Sequence, residues 1–145
     1  MSNKVISNKA KGDAFTQRVH DYLKRKKIDL VREFKVDVGL SSIHKKKHAF
    51  DLGSKDRLVE CKYYDWTDGD NNPSAKIATL NEAMLFLYTS PSGVIKQVFV
   101  RKTGKKGKRK PETFAEYYVR LYKHCIPDDV EFWEFDETNS TAQKM

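Results

Sequence analysis

The chain has 145 residues, a formal charge of +8 and a sequence pI of about 9.4. That length suits one domain with a real core and is too short for two ordinary ones. The charge favours a polyanionic partner, while 12% aromatic residues argue against disorder. The two cysteines, Cys61 and Cys125, lack metal-ligand spacing and read as reduced thiols of a cytoplasmic protein. The polar, lysine-bearing start is no secretory signal, and the longest apolar run, residues 83–88, is too short to cross a membrane.

Residues 1–11 read as a polar lead-in and 12–137 as a single domain. From 12 to 27, Phe15, Val19, Tyr22 and Leu23 recur at helical spacing, with Arg18, Asp21, Lys24 and Arg25 on the wet side. Asp13 and the basic run 24–27 suit the two ends of that helix's dipole. Residues 30–38 switch to period two: Phe34, Val36 and Val38 face one way, Glu33, Lys35 and Asp37 the other. A polar loop, 39–47, carries Lys45, Lys46 and Lys47, which read equally as phosphate contacts or a solvated loop. His44 and His48 bracket those lysines, and no further ligands stand in register for zinc.

Residues 50–64 form the stretch with the clearest chemistry. Two apolar runs, 50–53 and 58–63, flank the polar turn Ser54-Lys55-Asp56-Arg57, the pattern of a β-hairpin. Lys55-Asp56 suits a primed two-residue turn poorly, so a four-residue loop on a type I turn is expected. Any even-length loop centred there sets Asp51 opposite Glu60, with Lys62 on the face of Glu60. Opposed residues hold their Cβ atoms roughly 4.5–5.5 Å apart. Adjacent carboxylates resist ionising together, unless a hard cation such as Mg²⁺ sits between them. The lysine would then orient a metal-bound water or stabilise charge on a phosphate. The bland alternative is an amphipathic strand with solvent-facing Glu60 and Lys62. A second Glu-x-Lys triplet, Glu33-Phe34-Lys35, has no aspartate preceding it on an evident antiparallel neighbour.

Beyond the hairpin, Tyr63, Tyr64 and Trp66 read as core or rim packing, with stacking on unpaired bases as the alternative. Asp65, Asp68 and Asp70 lack the spacing and terminal glutamate of a calcium loop. Ser74 is the expected N-cap of a second helix through Ile77, Leu80, Met84, Leu87 and Tyr88, ended by Ser90-Pro91-Ser92-Gly93. Residues 94–100 form a strand anchored by Ile95, Val98 and Val100. The most basic stretch follows, with Arg101, Lys102, Lys105, Lys106, Lys108, Arg109 and Lys110 around Gly104 and Gly107. Mobile positive charge there suits a phosphate backbone, a nuclear-type address or plain solubility. Pro111 is expected to open a third helix through Phe114, Tyr118, Leu121 and Tyr122. Residues 130–135 form a last strand, and 138–145 a loose tail. The expected fold is α/β, a mixed central sheet flanked by helices in the order α-β-β-β-α-β-α-β.

That order, with Asp51 on the second strand and Glu60-Cys61-Lys62 on the third, resembles the PD-(D/E)XK nuclease superfamily, the restriction-endonuclease-like fold. The resemblance spans residues 12–100 and implies a Mg²⁺-dependent DNA endonuclease in which Mn²⁺ substitutes. It makes Asp51 and Glu60 metal ligands, the backbone carbonyl of Cys61 a further ligand, and Lys62 the catalytic lysine. Phe50 stands where the family name has proline. Many members carry a glutamate after the helix-1 phenylalanine, where Thr16 and Gln17 follow Phe15 here; Gln17 would reach a metal-bound water. Lys76 would face the scissile phosphate. So little chain lies outside the core that recognition of DNA shape (a junction, fork or end, in repair, recombination or phage biology) is expected, or a homodimer sharing recognition. A sequence-specific restriction endonuclease is one alternative; a catalytically inactive DNA- or RNA-binding protein on the same fold is another.

Overall fold

A computed structural model of the chain describes residues 6–66, 72–107 and 109–145. The expected order is present: α1 (Asn8–Arg25), β1 (Val31–Val38), β2 (Lys46–Ser54), β3 (Arg57–Lys62), α2 (Ser74–Thr89), β4 (Ile95–Arg101), α3 (Phe114–Tyr122) and β5 (Val130–Asp136). A 3₁₀ turn (Lys123–Cys125) precedes β5, and a further strand, β6 (Thr141–Lys144), follows it. The strands form one mixed sheet in chain order. Pairing is antiparallel from β1 to β3, parallel from β3 to β5 and antiparallel again at β6. Parallel neighbours need crossover connections, and α2 and α3 supply them.

The sheet is covered on both faces. On one, Phe15, Val19 and Leu23 of α1 pack on Leu52, Val59, Cys61, Phe99 and Phe135. On the other, Leu80, Met84 and Leu87 of α2, with Phe114 and Tyr118 of α3, pack on Phe50, Leu58, Val98 and Val100. Strands β3 and β4 are therefore buried on both sides and read as continuous runs rather than alternations. Among the described residues no helix is long and apolar enough to cross a membrane.

Several boundaries differ from the sequence reading, each for a local reason. Helix α1 starts at Asn8, inside the expected lead-in, because Ser7 caps it by accepting the Ala10 N–H at 3.1 Å. Lys46 and Lys47 lie on β2 rather than in a loop, paired across from Val38 and Asp37. Ser74 is the first residue of α2, with Pro73 at the cap position. Pro111 does not open α3, since Glu112 is held in a backbone bridge to Lys106. A capping box of Thr113 and Glu116 starts that helix instead. Tyr88, Ile95 and Leu121, expected in the core, are exposed, whereas Lys96 is buried and meets Asp129 at 3.1 Å. The tail is not loose: residues 141–144 pair with β5 as an edge strand.

Candidate active site

The hairpin closes with two residues, Lys55 and Asp56, not four. Neither has a positive φ, so the turn is not of the primed kind, and Ser54 Oγ supports it by accepting the Asp56 N–H at 3.2 Å. The register is the expected one, but the ladder stops at the Leu52–Val59 pair. Past that point the strands part, and side chains take over the backbone's bonds. The Cys61 N–H donates to Asp51 Oδ2 at 2.8 Å, and the Asp51 N–H donates to Glu60 Oε1 at 3.3 Å. Each carboxylate thus clasps the strand that carries the other. Lys62 Nζ lies 3.8 Å from Glu60 Oε2, so the three residues singled out in the sequence form one cluster.

Strand β1 helps to open this fork. Glu33 adopts a left-handed φ of 54°, uncommon for a residue other than glycine. The kink breaks the alternation. Phe34 and Phe50 face α2, while their near neighbours Arg32 and Leu52 face α1. Asp51, between Phe50 and Leu52, directs its carboxylate sideways towards the backbone of β3. The ladder between β1 and β2 skips Glu33 and Asp51, which fall between the paired Arg32–Leu52 and Phe34–Phe50. Glu33 is exposed, and the carboxylate of Asp51 belongs to β3.

Burial and the charge of Glu60 push the Asp51 carboxyl up from 3.8 to about 6, against the opposing pull of the Cys61 N–H, Lys62 and Arg32. Burial and the neighbouring carboxylate together disfavour the charged form of Asp51, a cost that a cation between the two carboxylates would offset. The donors of the clasp are hard oxygens. In an extended residue the N–H and C=O point to the same side, so the Cys61 carbonyl also turns into the fork. Among the described residues no three His, Cys, Asp or Glu side chains form a metal-binding group. Two carboxylates completed by water and phosphate fit the habits of Mg²⁺.

Other expected site residues divide sharply. Thr16 is buried and hydrogen-bonds the Cys61 thiol, whose pKa burial raises, so this position on α1 is used for packing. Gln17 turns to Asp21 and Arg32, at 2.9 and 3.3 Å, and does not join the trio; it touches the site's field only through Arg32. Lys76 lines a cleft of about 420 Å³ with Tyr63, Tyr64 and Thr79 where β3 ends. Tyr64 and Trp66 pack their ring edges on Phe114, and the Trp66 indole donates to the Gly104 carbonyl. Packing is thus their role. Asp65 pairs with Arg101, and Asp68 and Asp70 lie outside the described residues.

Parts of the basic stretch are tied into the fold. Arg101 is committed to Glu137 and Asp65, Lys106 is fixed by its bridge to Glu112, and Lys108 lies outside the described residues. Lys102, Lys105, Arg109 and Lys110 are exposed. On the other side, Lys45 donates to the Gly39 carbonyl and Lys47 meets Asp37 at 3.0 Å, while all three lysines of 45–47 remain exposed. Antiparallel pairing places the start of β2 beside the end of β3, and parallel pairing does the same for the end of β4. Both basic segments therefore leave the sheet at the edge where Lys62 stands, one on each side of it.

Arg32 and His48 were not found by sequence reasoning. Arg32 reaches Asp51 through its field across β1. His48 sits 3.2 Å from Glu60 Oε1; its only sequence signal is period-two spacing from Phe50. Comparison with protein-family models, curated proteins and solved structures found no match to this chain.

Proposed function

We propose that the chain is a Mg²⁺-dependent endodeoxyribonuclease of the PD-(D/E)XK kind, selective for DNA shape. The observation that carries the reading is the fork, where Asp51 and Glu60 are drawn together at the foot of Lys62. Asp51, Glu60 and the Cys61 carbonyl would hold the cation. When bound, the ion supplies a more acidic water and neutralises phosphoryl oxygen charge. Glu60 keeps the Lys62 ammonium at the mouth of the fork, where it orients the attacking water and stabilises charge developing on the phosphate. The flanking basic segments bind backbone phosphates and set the strand across the fork. The described helices and strands belong to a single sheet and the helices that cover it, which leaves recognition to that edge and favours junctions, forks or ends.

The test is cleavage of duplex, single-stranded and branched DNA with Mg²⁺ or with EDTA. Asp51→Asn and Glu60→Gln are each expected to abolish cleavage and weaken Mg²⁺ binding while DNA binding holds or strengthens. Undiminished cleavage by Asp51→Asn would overturn the site. The inward packing of Thr16 and the outward turn of Gln17 favour one second reading, a DNA-binding protein on this fold without chemistry. Metal-independent DNA binding with no cleavage of any substrate would establish it.

A further inference from the structure

We infer that His48 is a positioning residue that fixes the Glu60 carboxylate by donating its Nε2–H to Oε1. The inference rests on the nuclease reading of the fork. His48 stands on β2, three residues before Asp51, and its Nε2 lies 3.2 Å from Glu60 Oε1. Its ring is held from two sides, by the edge of Phe50 and by Phe86 of α2, each with a centroid separation of 4.6 Å. Phe86 brings α2 into the arrangement, so the imidazole links the helix layer to the carboxylate.

The other contacts of Glu60 leave this role open. Oε1 accepts the Asp51 N–H at 3.3 Å, and Oε2 faces Lys62 at 3.8 Å. The backbone N–H shares Oε1 with the imidazole at a similar distance, while Lys62 stands farther off on a flexible stem whose work, on this reading, lies at the phosphate. Among the side chains facing Glu60, the imidazole clamped by Phe50 and Phe86 is the one held by aromatic packing. A carboxylate that must present one oxygen to a cation gains from having the other oriented. Neighbouring donors of this kind typically contribute about 10–100-fold in metal affinity or rate.

The experiment compares wild type, His48→Ala and His48→Gln, whose amide can donate from a similar position. Mn²⁺ titration by calorimetry, steady-state cleavage of branched DNA and thermal unfolding are measured on each. His48→Ala should bind Mn²⁺ about 10–100-fold more weakly and lose kcat by a similar factor, with KM for DNA unchanged. His48→Gln should recover most of both. In the metal-free wild type, imidazole ¹⁵N shifts should show a proton on Nε2, and Glu60→Gln should move that resonance. Wild-type behaviour of His48→Ala would overturn the inference, as would equal damage in His48→Gln, which would make the ring's packing the cause. A wild type that neither binds Mn²⁺ nor cuts DNA would remove the nuclease reading itself and this inference with it.

Discussion

At Asp51, burial and the neighbouring Glu60 act in one direction, lifting the carboxyl from 3.8 to about 6. The folded chain holds that proton more tightly than the unfolded chain. Its stabilising contribution is therefore present at roughly pH 4 and is lost as pH rises through about 6. Asp51→Asn should stabilise the metal-free protein by ~1–2 kcal/mol at about pH 7.5 and by almost nothing near pH 4. Urea unfolding at the two pH values measures it, and an equal effect at both would mean the carboxyl is not strained. Mg²⁺ should raise the Tm of the wild type more at the higher pH and leave Asp51→Asn unmoved. Lys62→Ala should lose ~10²-fold or more in cleavage rate with little change in metal affinity, whereas Lys35→Ala should be nearly silent. Equal loss in both would dissolve the distinction between the two triplets. The Asp51–Glu60 pair was legible because hairpin register needs only the centre of a turn. His48 and Arg32 were not, since one depends on how far β2 extends and the other on which strand β1 joins.

Among the elements, β2 shows how a small residue accommodates the kink. A Cβ on Gly53 would lie 2.7 Å from Phe34 Cβ and 2.8 Å from its Cγ. The ring of Phe34 lies across Gly53 because Glu33 turns the backbone of β1 just before it. Gly53→Ala should cost ~1–3 kcal/mol through overpacking, read from the denaturant midpoint. An unchanged midpoint would show that Phe34 moves aside freely. The apolar periodicity of α1 was legible from the chain, because burial on one face repeats at a known spacing, and β3 and β5 were legible as short apolar runs. Helix starts were less so. Pro111 has the right chemistry for a first turn, but Glu112 is bridged to Lys106 and its carboxylate is taken by Arg120, a commitment made across eight residues. Strand β6 was missed because Thr141–Lys144 is mostly exposed and carries no apolar alternation.

For the whole molecule, the sheet order turns a scattered excess of positive charge into two flanks of one edge. The basic run at the end of α1 leads instead to the start of β1, at the opposite end of the sheet. Replacing Lys102, Lys105, Arg109 and Lys110 with Ser should flatten the slope of log affinity against log salt by roughly 2–3, each phosphate contact contributing about 0.9. The loss should be similar for all DNA sequences, because backbone contacts carry no base information. Stability should hardly change, as exposed charges contribute little. An unchanged slope would move the DNA to the other flank, at Lys45–Lys47. The order of elements was readable in advance, whereas the sharing of one edge by both basic segments depends on strand direction, which no local pattern encodes.

The fork has a consequence for amide hydrogen exchange. The N–H groups of Asp51 and Cys61 are protected by carboxylates rather than by carbonyls. Their exchange should therefore report on the side chains of the site as well as on the sheet. Removing either carboxylate altogether would unfasten the backbone of the strand opposite, so an alanine variant would confound lost chemistry with a loosened sheet. An amide in place of the carboxylate keeps one oxygen for the N–H while it removes the charge and turns the second oxygen into a donor. On the proposed reading the same two side chains would serve as metal ligands, and in the fold they already act as rungs where the backbone ladder stops.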